Sequence, residues 1–158
     1  MSRYSNYKHL LGRKYVDGKQ DCYGLVMGYL KDVHSLPLKN FARPTQFWAN
    51  RDFDLINNML GHDGWQSMGL NTRNLQIGDV LIFAIHSTMA NHLGVYVGNG
   101  MMIHHLYQRL SNHEAITQSW TSRLLMIVRH PDVRIEYEKK ELIELLPPHV
   151  KRTLRIDS

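Results

Sequence analysis

One thiol sets the terms for this chain. Cys22 is the only cysteine among 158 residues, so no internal disulfide can form and no tetrahedral zinc site rich in thiolates can be built. An apolar core must therefore hold the fold, and a chain of this length suits one domain able to bury such a core. Apolar residues make up 43% of the chain and no low-complexity tract appears, which predicts a soluble globular protein. No run approaches the roughly eighteen consecutive apolar residues of a membrane span, so no membrane insertion is expected. Met1 to Lys8 lack the apolar stretch of a secretory signal. Any work outside the cytoplasm would need a carrier other than a cleaved leader.

The position of the thiol matters as much as its number. Asp21-Cys22-Tyr23-Gly24 runs into Leu25, Val26, Tyr29, Leu30 and Val33, which share one face at helical spacing and predict a helix from about Cys22 to Val33. Asp21 is a good N-cap, and Tyr15 to Gln20 reads as a turn delivering the chain to it. Most lone cysteines are small buried hydrophobes. A helix start with a capping aspartate and a nearby glycine argues otherwise, predicting a thiol near a surface in a positive local field. The thiolate is the nucleophile, and a neighbouring imidazole favours it.

A candidate base lies in Asn91-His92-Leu93-Gly94-Val95-Tyr96, a segment of strand character. His92 would take the thiol proton, and a third residue would orient its ring. His104 and His105 both qualify. A two-residue Asn99-Gly100 turn pairs position 97 with 102 and puts His105 on the face of His92; a three-residue loop with a bulge puts His104 there. Periodicity leaves this open. A metal site built from Cys22, His92, His104 and His105 is the weaker alternative, and no cofactor is expected.

The other elements are predicted unevenly. Residues 34 to 75 are the least legible. Pro44-Thr45-Gln46 could open a second helix carrying Phe47, Trp48, Leu55, Ile56, Met59 and Leu60, read as core rather than substrate contacts, and Gly61 to Gly64 reads as a turn. Ile77 to Ile85 is a turn entering a buried strand, His92 to Val97 a second strand, Met101 to Tyr107 a third, and Leu124 to Arg129 a fourth. Helices followed by a mostly antiparallel sheet give an α+β layout. One domain is placed at 1–130 and a C-terminal extension at 131–158, with an amphipathic helix from Tyr137 to Leu146 ended by Pro147-Pro148. That helix would pack on the domain or dock on another protein.

The net charge of +5 and a pI near 9.4 suit anionic partners such as nucleic acid, phospholipid or an acidic wall polymer. The positive residues are scattered, clustering only at Lys151, Arg152 and Arg155. Without a Gly-rich phosphate loop or a nucleic-acid motif, no nucleic-acid partner is expected.

Taken together, Asp-Cys-Tyr-Gly on a helix, Ile-Gly-Asp-Val-Leu-Ile-Phe entering a strand and His-Leu-Gly-Val-Tyr-Val-Gly-Asn-Gly-Met-Met-Ile-His closely resemble the NlpC-type cell-wall cysteine peptidases. These are papain-like enzymes with a Cys–His–polar triad. The resemblance implies a papain-like fold, Cys22 as nucleophile and His92 as base. The family's spacing of twelve residues from base to third member selects His104. A tyrosine before the cysteine commonly helps bind the oxyanion in that family, and Tyr15 matches it. The Cys22 amide could be a second donor.

Asp-Cys-Tyr-Gly-Leu-Val, His-His-Leu-Tyr-Gln-Arg-Leu-Ser and Met-Ile-Val-Arg-His are similar to the tail assembly branch of siphophages, the lambda tail protein K group, over roughly residues 8 to 130. This implies a phage tail-tip protein, made in the host cytoplasm and acting in the host envelope. Its implied partners are bacterial peptidoglycan and other tail-tip proteins, and the bond cut joins D-glutamate to a diamino acid. The alternative implied is a structural assembly part with an inactive or occluded site. Related lipid-modifying acyltransferases usually place the histidine before the cysteine, so the order here favours hydrolysis. Tyr23 replaces the small residue usual after the cysteine, which predicts a narrower pocket. The lambda group also carries a metalloprotease-like domain ahead of this module, for which 158 residues leave no room.

Overall fold

The structure is a computed structural model that describes residues 4–133 and 148–149. A short helix α1 (Tyr4–Tyr7) leads through a hairpin-like turn, closed by the bridge between Val16 and Gln20, into α2 (Cys22–His34). Asp21 caps α2 by accepting from the Gly24 amide, and Ser35, in the left-handed region, ends it. Leu25, Val26, Tyr29 and Leu30 are buried as the helical spacing predicts, with Val33 half-buried. Gly24 is required by close approach. A Cβ there would lie 2.1 Å from the Lys19 carbonyl oxygen, so the helix start and the preceding turn are pressed together.

The expected second helix is broken. Phe47–Ala49 form one 3-10 turn, and α3 spans only Leu55–Leu60. Between them the Asn50 side chain accepts from the Asp52 amide and Asp54 caps a new helix start. Side-chain competition for backbone amides is what ends one segment and opens the next. The Gly61–Gly64 turn is present.

Six strands follow: β1 (Gln66–Ser67), β2 (Val80–Phe83), β3 (His92–Gly98), β4 (Met101–His104), β5 (Asn112–Ala115) and β6 (Leu124–Arg129). A short helix α4 (Gln118–Thr121) lies between the last two. They form one antiparallel sheet in the order β1-β6-β2-β3-β4-β5. Val80, Ile82, Leu93, Val95 and Ile103 pack in one core with the buried face of α2. Leu81, Phe83 and Met102 form a second core with Trp120 of α4. Burial on both faces explains why β2 reads as an uninterrupted apolar run. Buried Asp79 accepts from Arg129 and from the Gln76 amide, tying the entry of β2 to the end of β6.

The α+β fold is as the sequence predicts. α1, α4, β1 and β5 escaped the reading because they are short and, in the two strands, largely exposed. The helix expected over Tyr137 to Leu146 lies outside the described residues. The β3–β4 hairpin combines the two turns considered for it. Asn99 and Gly100, both at positive φ, make the two-residue turn, and a bulge between Tyr96 and Gly98 then shifts the register. Gly94 therefore faces His104, which lies on the same side of the sheet as His92.

Candidate active site

Three elements meet at one cleft. The turn before α2 brings Tyr15, the first residue of α2 is Cys22, and the first residue of β3 is His92. All three line a cavity of about 1120 Å³. Cys22 and His92 line the same cleft, and the Leu93 amide is among the groups that oppose the rise in the thiol's pKa. His92 Nε2 lies 2.9 Å from His104 Nδ1. His104 Nε2 lies 2.6 Å from Glu114 Oε2. Trp120 backs both rings, its centre 5.8 Å from that of His92 and 5.0 Å from that of His104, and Phe83 stacks on His92.

His105 points elsewhere. Its Nε2 donates to the Arg109 carbonyl, and its ring meets Tyr15 edge-on at 5.2 Å. The structure thus sets His104 against His92, and His105 against the tyrosine. Among the described residues no group of three or more His, Cys, Asp or Glu side chains is placed to hold a metal ion.

The electrostatics correct one expectation. The thiol is not near the surface: Cys22 is 3% exposed, at the floor of the cleft. Burial pushes its pKa well up, Asp21 adds to that, and the Leu93 amide, Arg43 and the Tyr23 amide oppose it. Burial likewise pushes His92 well down, helped by His104 and His105. The field at the helix start is outweighed by desolvation. At neutral pH the resting pair is therefore a neutral thiol and a neutral imidazole. Tyr15 is also raised, by burial first and then by Cys22, Asp21 and Asp17, so its hydroxyl keeps its proton and can donate.

Tyr23 does not narrow the pocket. It is fully buried, donates to the Lys39 carbonyl and packs against Phe41, while Arg43 lies over its ring at 5.0 Å. Trp48 is more than core. It lines the cleft and packs against Tyr107 with ring centres 4.4 Å apart. The sequence reading missed two polar residues. Arg43, in the illegible 34–75 stretch, donates to Asp21 with both side chains sealed from solvent. Glu114 sits on an edge strand without apolar alternation, and only its register opposite β4 could have marked it.

The family model described as the NlpC/P60 family matches residues 11–129. The chain belongs to the NlpC/P60 family. It is 33% identical over 127 residues to tail tip assembly protein K of Escherichia phage N15, covering 79% of this chain and 51% of that protein. It is 32% identical over 125 residues to tail tip assembly protein K of Escherichia phage lambda, covering 77% and 59%. The chain thus spans between half and three-fifths of these curated relatives. Among solved structures, an NLP/P60-family protein similar to lipoprotein from Staphylococcus aureus subsp. aureus Mu50 superposes with a TM-score of 0.54 at 17% identity, over 82% of this chain and 40% of that one. The NlpC/p60 domain of the peptidoglycan hydrolase SagA gives 0.50 at 15% identity, over 81% and 96%. These distant likenesses establish an NlpC/P60 fold for the chain.

Proposed function

We propose that this NlpC/P60 chain is a cysteine peptidase of a phage tail tip, cutting a peptide bond of bacterial peptidoglycan between D-glutamate and a diamino acid. The observation that carries the reading is the meeting of Cys22, His92 and Tyr15 in one cleft. His92 Nδ1 takes the thiol proton as the sulfur attacks the carbonyl carbon. The Tyr15 hydroxyl and the Cys22 amide, one of the unpaired amides at the helix start, hold the oxyanion. Collapse breaks the C–N bond, and the amine leaves with the proton from His92. Water then hydrolyses the thioester and restores the thiol. Because the resting pair is neutral, proton transfer accompanies attack.

The cleft suits such a substrate. At about 1120 Å³ it exceeds the usual small-molecule pocket and can take an extended peptide. Arg51 and Arg109 line it, and among the described lining residues there is no carboxylate. Stem peptides of peptidoglycan carry free carboxylates. A place in the phage tail is supported by the two tail tip assembly relatives, and synthesis in the host cytoplasm is part of the same proposal.

The test is mass spectrometry of purified peptidoglycan after digestion. The wild type is expected to release fragments with a new amine on the diamino acid, and Cys22→Ala and His92→Ala to release none. Equal release by Cys22→Ala would refute the reading. A second reading, a tail assembly part whose fold does not cut, is favoured by the names of the relatives and the burial of the sulfur. Normal tails and normal infection by phage carrying Cys22→Ala would support it.

A further inference from the structure

We propose that Glu114 is a positioning residue that fixes the tautomers of both histidines and so aims the lone pair of His92 at the nucleophile. The inference rests on reading Cys22 and His92 as nucleophile and base, and it extends that site by a fourth residue on the edge strand.

Hydrogen-bond direction carries the argument. A carboxylate accepts and cannot donate, so the 2.6 Å contact at Glu114 Oε2 puts the proton of a neutral His104 on Nε2. The other nitrogen of that ring, Nδ1, is then a bare acceptor. It lies 2.9 Å from His92 Nε2, which must carry the proton of its own ring. What remains on His92 is Nδ1 with a free lone pair, the atom required to receive the thiol proton. Each step removes one choice, and the direction of the whole chain is set at its outer end.

The surroundings keep the relay neutral. Burial lowers His104 despite Glu114, and it lowers His92. The other titratable group acting on both rings is His105, the residue after β4, and Cys22 lines the same cleft as His92; Trp120 packs against both rings and Phe83 against His92. Protonating His104 would give it two N–H groups and force His92 Nε2 to accept, moving the proton onto Nδ1. Glu114 is 40% exposed while His104 is 1% exposed, so the end that sets the direction is the end solvent can reach.

Two measurements test this. Long-range 1H–15N NMR of the histidine rings at neutral pH reads the tautomers directly, and it is independent of any substrate. The wild type is expected to show protonated Nε2 on both His92 and His104. Alkylation of the single thiol by iodoacetamide reads the base without peptidoglycan. Glu114→Leu is expected to slow it about tenfold or more, the size of a lost hydrogen bond to a charged group. It should also mix the tautomers, while Glu114→Gln, whose carbonyl can still accept, recovers most of the rate. A wild-type spectrum with the proton on His92 Nδ1 overturns the proposal without any variant, as does a Glu114→Leu protein with wild-type tautomers and alkylation rate. Intact tautomers in a wild type that leaves peptidoglycan uncut would instead count against the proposed function alone.

Discussion

Arg43 Nε donates to Asp21 Oδ2 at 2.7 Å, one residue before the sulfur, and neither side chain reaches solvent. The same guanidinium reaches the Gly18 and Phe41 carbonyls and lies over Tyr23. Asp21 caps α2 by accepting from the Gly24 amide, yet its charge opposes ionisation of the neighbouring thiol. Arg43 reconciles the two demands.

Arg43→Met should therefore strand a buried carboxylate beside Cys22. A stability loss of about 3–5 kcal/mol is expected by urea denaturation, as for other buried pairs broken from one side. Alkylation of the thiol should slow as well. Arg43→Lys should recover only part of both, because a single ammonium cannot reproduce the fork.

Tyr15→Phe removes a hydroxyl and leaves the edge-on ring contacts with His105 and Tyr107 in place. If that hydroxyl holds the oxyanion, kcat on a peptidoglycan peptide should fall about a hundredfold. KM and the melting temperature should change little. A drop in melting temperature with unchanged kcat would make Tyr15 a packing residue.

Acid should weaken the fold through its buried histidines. His92, His104 and His105 all lie below 6.5 in the folded chain, each chiefly through burial. The unfolded chain takes up protons first as pH drops through 6.5, so stability present above that value is lost progressively on the acid side. Melting temperatures from pH 8 to pH 5 should fall below about 6.5, and His92→Asn should flatten the decline.

Arg51 and Arg109 are exposed at the cleft. Replacing both by Gln should raise KM about fivefold or less, the range of exposed ion pairs, with kcat unchanged. The effect should shrink in high salt.

How legible the site was depended on period and length. α2 and its Asp21 cap follow from a period of 3.6, and β2, β3 and β6 from apolar runs bounded by clear end signals. Arg43 and Trp48 lie in a stretch organised by turns and side-chain caps, where no period exists to be read. Glu114 belongs to a four-residue strand whose pattern is mostly exposed. The protonation state of the thiol was also beyond pattern, since it depends on how deeply α2 sinks against β3.

The bulge at Val97 has a consequence for chain length. Ten positions separate Gly94 from His104, an even number, whereas a two-residue turn alone matches positions an odd number apart. The surplus residue reconciles them. Excising Val97 would regularise the ladder and leave the two imidazoles facing each other. Excising Met101 instead would slide the returning strand by one step and bring His105 opposite Gly94. The same loss of one amino acid is thus harmless on one side of the turn and exchanges the partner of His92 on the other.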